Sequence, residues 1–242
     1  MTLTEELKQL LLDKGAELIG IGDLAQLWKE NALTVGSEEI SEEKLSAYSV
    51  GISIAIPLPK HLIEELKEAP NEEYYHLYHS LNQKLNEIVL AGEEFLKGKG
   101  YRAYAQTTDR VKADDGFISP LPHKTVATRA GLGWIGKNCL LVTKEFGPAM
   151  RISSLLTDAP LECSEAITES QCGRCELCVK ACPAQVLRGT LWKAGMARRE
   201  LVDAQKCFDK QVEIMKEKTG IEADLCGKCF AVCKYTQGYL KR

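Results

Sequence analysis

The sequence predicts an α+β protein in which a layered α/β domain over residues 1–160 precedes a cysteine-rich module over residues 161–242. Two observations predict this division. Strand-like and helix-like apolar segments alternate through the first part of the chain, as they do in layered folds. All ten cysteines lie after residue 138, and a chain of 242 residues can bury a sizeable core without disulfides. The cysteines therefore point to chemistry rather than to cross-linking.

The elements of the first domain follow from periodicity and from turn residues. Leucines at helical spacing predict a helix over residues 4–14, and a strand follows over residues 16–22. The β-branched run over residues 48–57 predicts a buried central strand. A long helix over residues 72–97 and an alternating strand over residues 101–107 come next. Strands and helices therefore alternate along the domain.

The N-terminus and the composition predict a soluble protein of the cytoplasm. Residues 1–6 open an acidic amphipathic helix rather than a signal peptide, and no apolar stretch approaches the roughly 20 residues that span a bilayer. The net charge of −3 argues against a broad nucleic-acid-binding surface, so we expect nucleic acid to be an unlikely partner. The basic stretch from Lys193 to Arg199 is either a solvated helix face or a local contact for RNA or an acidic partner.

The most specific motif is a run of closely spaced cysteines. Cys172-x-x-Cys175-x-x-Cys178-x-x-x-Cys182-Pro has the spacing with which bacterial ferredoxins bind 4Fe-4S clusters, three thiolates holding one cluster and the fourth its neighbour. Zinc also binds paired Cys-x-x-Cys elements, but four such cysteines ending in Cys-Pro are unusual for zinc. In a reducing compartment, clustered cysteines are more often metal ligands than disulfides. We therefore predict iron–sulfur clusters.

A second, shorter run supplies most of the remaining ligands. Cys226, Cys229 and Cys233 have ferredoxin spacing but are one cysteine short, and Cys207 is the obvious supplier. With the distal cysteines exchanged, the predicted ligand sets are Cys172, Cys175, Cys178 and Cys233 for the first cluster, and Cys182, Cys207, Cys226 and Cys229 for the second. The cysteines left without a role are Cys139, in an apolar run, and Cys163, in a predicted loop.

A glycine-rich stretch precedes the cysteine runs. Gly131, Gly133 and Gly136 match the G-x-G-x-x-G pattern of phosphate-binding loops, but the strand before it and the ribose-binding acid after it are poorly matched. Spacing alone leaves two interpretations equal. The glycines supply positive φ angles in a close-packed turn, or they form a backbone platform against which a flat cofactor lies.

Several segments together resemble epoxyqueuosine reductases and their relatives. They are Ala130-Gly-Leu-Gly-Trp-Ile-Gly-Lys-Asn138, residues 145–162, the first cysteine run, Glu73-Tyr-Tyr-His-Leu77 and Asp203-Ala-Gln-Lys-Cys207. The Phe-Gly-Pro-x-x-Arg portion is also similar to reductive dehalogenases. The resemblance covers residues 73–235 and implies the same crossed ligation of the two clusters.

The resemblance also implies a scaffold and a cofactor. It implies a nitroreductase-like α/β domain that holds a base-off cobalamin beside the two-cluster module, with the clusters feeding electrons to cobalt. The implied corrin contacts are Gly133, Trp134, Gly136, Lys137, Asn138, Arg151 and Ser153. Glycines permit close backbone approach, and lysine and asparagine offer hydrogen-bond donors. Two other interpretations stay open, in which Lys137 is a solvated loop residue and Trp134 is a core anchor.

The chain departs from the family at the proton donor. The family's acidic residue before a proline aligns with Phe117 or Ile118. Asp115 and His123 are the candidate replacements, although each is also explained as a simple loop residue. The chain ends at Arg242 without the family's C-terminal helical repeats, so we expect a substrate other than tRNA.

Two functions follow from these observations. The first is an oxidoreductase that relays single electrons through two 4Fe-4S clusters to a corrinoid or small-molecule substrate, with an electron-donor protein as partner. The second is an electron-transfer protein that reduces a partner corrinoid protein and has no substrate of its own. A roomy cavity beside the first cluster favours the enzyme, and a filled interior favours the carrier.

Overall fold

The computed structural model describes residues 1–25, 27, 45–111 and 119–242, and these form two compact units. The first unit comprises Met1–Ile56, Leu81–Leu132 and Arg151–Ile167, and the second comprises Pro57–Ser80, Gly133–Met150 and Thr168–Arg242. The domain boundary expected after residue 160 is close to the last change of unit. The second unit also takes in two earlier segments, because they pack with the cysteine-rich part of the chain. As independently folding domains, residues 1–160 and 161–242 stay a prediction.

Within the described residues, the first unit is built on a four-stranded sheet of order β1-β2-β6-β3. Its strands are β1 (Leu18–Asp23), β2 (Val50–Pro57), β3 (Ala103–Gln106) and β6 (Met150–Thr157). β1 pairs antiparallel with β2 in the register Leu18↔Ala55, and β3 pairs antiparallel with β6 in the register Gln106↔Ser154. Every residue of β2 before Pro57 is buried, which confirms the expected central strand. The second central strand, β6, was not predicted, because Arg151 and two serines interrupt its apolar pattern.

Helices and two short strands make up the other regular elements of the described chain. They are α1 (Leu3–Asp13), α2 (Lys60–Glu65), α3 (Glu72–Gly98), α4 (His123–Arg129), β4 (Trp134–Ile135), β5 (Leu141–Val142), α5 (Leu177–Ala181), a 3-10 turn (Arg198–Glu200), α6 (Ala204–Thr219), α7 (Lys228–Ala231) and α8 (Lys234–Leu240). The predicted helices over residues 4–14 and 72–97 are confirmed by α1 and α3, and the strands predicted near residues 16–22 and 101–107 by β1 and β3.

Local sequence explains how α1 begins and which face it buries. The Thr2 hydroxyl accepts a hydrogen bond from Glu5 N at 3.2 Å, and the Glu5 carboxylate accepts one from Thr2 N at 2.8 Å. This capping box satisfies amide groups that a helix start leaves without partners. Leu7 and Leu11, four residues apart, are fully buried in the core of the first unit. The helical spacing of the leucines therefore predicted correctly which face of α1 packs into the core.

The second unit has its own apolar core, to which the cysteine-rich segment contributes. Its buried members are Leu58, Leu62, Ile63, Leu66, Tyr74, Ala149, Met215, Leu225, Phe230 and Ala231. The hairpin of β4 and β5 belongs to this unit, with Trp134 paired to Val142 and Ile135 paired to Leu141. None of the helices within the described ranges is both long and apolar enough to cross a membrane. A cytoplasmic location stays a prediction.

Candidate functional site

The first cysteine run folds as a loop followed by a single short helix. Cys172 and Cys175 lie in the loop, where Cys175 N donates to Cys172 O at 3.3 Å. Cys178 lies inside α5, and Cys182 is the C-cap residue that ends it. Pro183 follows at once, and proline is common just after helix ends because it cannot continue the helix.

The other four predicted ligands lie on or beside three helices of the same unit. Cys207 lies in the first turn of α6, which Asp203 caps through a hydrogen bond to the backbone. Cys226 precedes α7, Cys229 lies within it, and Cys233 is the N-cap residue of α8. α5 and α7 pack against each other, so the two cysteine runs meet in space although they are distant in sequence.

Four of these thiols border one cavity. Cys172, Cys175, Cys178 and Cys233 line a small, open cavity of about 20 Å³. The other lining residues are Lys137, Asn138, Val142, Leu177, Lys234 and Tyr235. Burial, followed by the charges of the other three cysteines, raises the pKa of Cys178 to about 12. These four cysteines are the set expected from the sequence to hold the first cluster.

The remaining four thiols form a second group. The pKa of Cys207 is raised to about 11, first by burial of the thiol and then by the charges of the neighbouring Cys182 and Cys226. The pKa of Cys229 lies well above its usual value, first because the thiol is buried and then because Cys226, Cys207, Cys178 and Cys182 are near. Because Cys178 belongs to the first group, the two groups adjoin. Adjoining groups suit transfer of an electron from one metal centre to the next.

The chemistry of both groups fits 4Fe-4S clusters. A cubane attaches its thiolates to different irons, so its ligands need not converge on one ion. In the described part of the chain, no three His, Cys, Asp or Glu side chains are placed to hold a single metal ion. The raised pKa values of Cys178 and Cys207 keep these two thiols protonated at neutral pH, so binding of iron to them must release protons. Buried thiolates also need the positive charge that iron supplies.

The two cysteines without an expected role differ in their surroundings. Cys163 is exposed and belongs to the first unit. Cys139 is buried in the turn between β4 and β5, with a φ of 60° that is unusual for a residue other than glycine. It lies close enough to Cys207 to affect the pKa of that thiol. Nothing in the cysteine spacing could have indicated this proximity, because it depends on how the hairpin packs.

The glycine-rich stretch is the start of a tightly packed hairpin. A Cβ atom on Gly133 would lie 2.1 Å from Val142 O, and one on Gly136 would lie 2.6 Å from both Asn138 Oδ1 and Val142 Cγ2. Of the three glycines in the motif, Gly131 alone has a positive φ, at 70°. The space in front of Gly133 and Gly136 is therefore filled by the protein's own hairpin, which explains both glycines by packing.

Three further residues of this hairpin surround the first group of thiols. Lys137 and Asn138 are each 6% exposed and line the cavity, so Lys137 is not a solvated loop residue. Asn138 Oδ1 accepts a hydrogen bond from Leu140 N at 3.3 Å. Trp134 is 1% exposed, and its indole N–H donates to Cys172 Sγ over an N···S distance of 3.5 Å. Trp134 is thus a core residue that also contacts a predicted ligand.

Arg151 and Ser153 lie on β6 and belong to the first unit. Arg151 donates through Nε and Nη2 to Asn82 Oδ1 at 3.1 and 2.9 Å, and Ser153 Oγ donates to Gln106 O at 3.2 Å. The Gln106 side chain donates to Leu121 O at 3.0 Å, while its buried Oε1 has no hydrogen-bond partner in the described structure. A donor group of a bound ligand would satisfy such an acceptor.

Of the two candidate proton donors, only His123 can be placed. Asp115, like Phe117 and Ile118, lies outside the described residues. His123 is the first residue of α4, and its Nδ1 lies 2.6 Å from Ser154 Oγ. Burial, and then the positive charge of Arg151, lowers the pKa of His123 to about 4. The ring is therefore neutral at pH 7 and has no extra proton to give.

The low pKa of His123 predicts a loss of stability in mild acid. The folded-state pKa of about 4 lies below the unfolded value of 6.5, so the unfolded chain binds this proton first as the pH falls. Between pH 7 and pH 5, His123 should lower the free energy of unfolding by up to about 2 kcal/mol. Urea unfolding at both pH values checks this, with His123→Asn as the matched variant. An equal pH dependence in both proteins would contradict it.

Both the cysteine-rich segment and the whole chain are similar to known proteins. Residues 171–236 match the family of 4Fe-4S double cluster binding domains. The chain is 29% identical over 271 residues to an epoxyqueuosine reductase of Lactococcus garvieae (strain Lg2), covering 98% of this chain and 70% of that relative.

Solved structures share the fold. A crystal structure of epoxyqueuosine reductase with an epoxyqueuosine-modified tRNA-Tyr stem loop matches with a TM-score of 0.60 at 25% identity, covering 98% of this chain and 66% of that one. A reductive dehalogenase whose structure suggests a mechanism for B12-dependent dehalogenation matches with a TM-score of 0.71 at 18% identity, covering 95% of this chain and 31% of that one. The chain thus spans about two thirds of the solved epoxyqueuosine reductase and under a third of the dehalogenase.

These similarities agree with the motifs read from the sequence. The mixed helix-and-sheet fold is confirmed, and the cysteine-rich segment is a double-cluster module, as its spacing predicted. The chain is similar to epoxyqueuosine reductases over 98% of its length, and it shares its fold with a reductive dehalogenase.

Proposed function

We propose that this chain is an oxidoreductase that relays single electrons through two 4Fe-4S clusters to a small-molecule or corrinoid acceptor. The observation that carries the proposal is the gathering of eight thiols into two adjoining groups of four within the second unit. Each group has the four thiols that one cubane needs. In the proposed ligation, Cys233 completes the first group and Cys182 the second, so each cysteine run contributes to both clusters.

The residues around the first group support an acceptor site at the mouth of its cavity. Lys137 and Asn138 line this cavity and present hydrogen-bond donors. The lysine charge favours an anionic or electron-rich species that forms when an acceptor is reduced. We infer that these two side chains orient the acceptor and stabilise its reduced form.

A corrinoid, when bound, would supply a cobalt centre that accepts electrons from the clusters. Lys137 and Asn138 of the second unit are the residues that we propose to contact it. Contacts of a corrinoid with Arg151 and Ser153 stay a prediction from the sequence. The unpartnered Gln106 Oε1 supports the binding of a polar ligand to the first unit. We also propose that the first unit is a nitroreductase-like scaffold. Trp134, Gly133 and Gly136 are accounted for by packing and serve such a site only indirectly. Asp115, the other candidate proton donor, lies outside the described residues and stays a prediction from the sequence.

Anaerobic reconstitution with iron and sulfide tests the proposal directly. We expect about eight irons and about eight sulfides per chain, and electron paramagnetic resonance (EPR) signals of reduced 4Fe-4S centres after reduction. Reduced cobalamin is then added and its absorbance followed. Chains that take up zinc in preference to iron, or at most one cluster, contradict the proposal. Two clusters without binding of any corrinoid or small molecule would favour the electron-transfer protein instead.

The expectation that nucleic acid is an unlikely partner conflicts with the relative bound to a modified tRNA stem loop, and it is corrected here. An RNA acceptor therefore joins the proposed substrates. Titration of the reconstituted protein with epoxyqueuosine-modified and unmodified stem loops tests it, at two salt concentrations. Preference for the modified loop supports a tRNA substrate. Weak binding of both loops that disappears between 50 and 200 mM salt reports only non-specific phosphate contacts.

A further inference from the structure

Trp134 connects the β4–β5 hairpin to the first group of thiols. Its indole N–H donates to Cys172 Sγ over 3.5 Å, and the side chain is 1% exposed. Gly133 brings the backbone of this strand against Val142, so the ring has little freedom to shift. The N–H group thus has a defined position next to one predicted cluster ligand and away from solvent.

Tyr235 packs against the same ring. The two ring centroids lie 4.9 Å apart at an interplanar angle of 72°, an edge-to-face arrangement that aromatic pairs prefer. The Tyr235 hydroxyl donates to Gln171 O at 3.3 Å, on the residue just before Cys172. Trp134 and the loop that carries Cys172 are therefore tied together at two points, which keeps the N–H···S contact in place.

Two lysines at the cavity favour negative charge on the first cluster, as the Trp134 hydrogen bond does. Lys137 and Lys234 both line the cavity, and Lys234 Nζ lies 4.9 Å from the centroid of the Tyr235 ring. One-electron reduction adds a negative charge to a 4Fe-4S cluster. Hydrogen bonds to ligand sulfur and nearby cations stabilise that charge, and they raise the reduction potential.

The second group of thiols has a donor of a different kind. Gln211 Nε2 donates to Cys207 Sγ over 3.5 Å from one turn further along α6. This donor is a half-buried amide on a flexible side chain, whereas the indole is a rigid, buried donor. Each predicted cluster therefore has its own hydrogen-bond donor, and each donor can be replaced independently of the other.

We propose that Trp134 is a positioning residue that raises the reduction potential of the first cluster through its N–H···S hydrogen bond to Cys172. This inference rests on the proposed ligation of that cluster. It assigns Trp134 to the control of electron transfer rather than to contact with a corrin ring. A higher potential at the first cluster draws the electron toward the cavity that Lys137 and Asn138 border.

The experiment replaces the N–H group without changing the shape of the side chain. Benzothienylalanine, which carries sulfur in place of the indole N–H, is incorporated at position 134 alone, and Trp134→Phe serves as its genetic counterpart. Gln211→Leu is the matched variant for the second cluster. Iron content is measured first, followed by a redox titration monitored by EPR and a search for an exchangeable deuteron coupled to the reduced first cluster in heavy water.

We expect the isostere to hold both clusters and to lower the reduction equilibrium constant of the first cluster alone by about threefold to tenfold. At 59 mV per tenfold change for one electron, this corresponds to about 30–59 mV. The coupled deuteron should disappear as well. Gln211→Leu should lower the potential of the second cluster and leave the deuteron of the first unchanged.

The outcomes separate this inference from the proposed function. Full iron content with unchanged reduction potentials in the isostere overturns the role of Trp134. It does not contradict the presence of two clusters. Equal shifts of both clusters also overturn it, because a general packing change would then be the cause. Failure of the unsubstituted protein to load two clusters contradicts the proposed function itself. If Trp134→Phe does not fold, the isostere still decides the question.

Discussion

Replacing Cys233 with serine is expected to remove the cluster held by Cys172, Cys175 and Cys178, although Cys233 lies in the other cysteine run. The reason is geometric, since these four thiols line the same cavity. A serine hydroxyl stays protonated at neutral pH and is a much poorer ligand for iron than a thiolate. Iron content should fall from about eight to about four per chain, and one EPR signal should remain.

Matched variants identify which cluster is lost. Cys233→Ser should leave the same remaining EPR signal as Cys172→Ser, and Cys182→Ser the same as Cys226→Ser. Cys163→Ser is the control, because this exposed cysteine lies in the first unit and should leave both clusters in place. If Cys233→Ser instead matches Cys226→Ser, each run holds its own cluster and the crossed ligation is wrong.

A single methyl group added at Gly133 is expected to destabilise the second unit by about 2–3 kcal/mol. The new Cβ would lie 2.1 Å from Val142 O and 2.9 Å from Val142 C, so backbone rather than a flexible side chain would have to move. Overpacking of this kind costs about 1–3 kcal/mol and more when the backbone resists. Unfolding of the reconstituted Gly133→Ala protein in urea, followed by cluster absorbance, measures the loss.

Gly98→Ala is the matched control for this prediction. Gly98 ends α3, and a Cβ there would meet nothing within 4 Å. Because alanine favours helix over glycine by up to about 1 kcal/mol, the control should be as stable as the unsubstituted protein or slightly more so. Should Gly133→Ala keep its stability and lose only corrinoid binding, the glycine would serve the cofactor rather than the hairpin.

Local spacing was enough to predict the double-cluster module. The two-residue spacers of the first run and the proline after Cys182 act over a few residues, where sequence and conformation are closely linked. The buried run of β2 was equally clear, because one central strand carries one unbroken apolar pattern. Cys207 could be assigned by counting ligands, which needs no knowledge of packing.

Contacts between distant segments account for what could not be predicted. β6 was missed because its central position buries two serines and admits an arginine, which no strand pattern anticipates. The N–H···S contact of Trp134 joins residues that are far apart in the chain. The neutral state of His123 depends on the burial of its ring and on Arg151. The glycine motif was ambiguous because the atoms that crowd Gly133 belong to Val142 on the next strand.

The division of the chain into interleaved units has a consequence for biosynthesis. The first unit takes its last segment from Arg151–Ile167, and every proposed iron ligand follows it, from Cys172 onward. At about 5–20 residues per second, the ribosome completes the four strands found among the described residues before it reaches Cys172. Every polypeptide segment of the first unit is therefore synthesised before the first proposed iron ligand, so this unit can begin to fold before either iron site is complete.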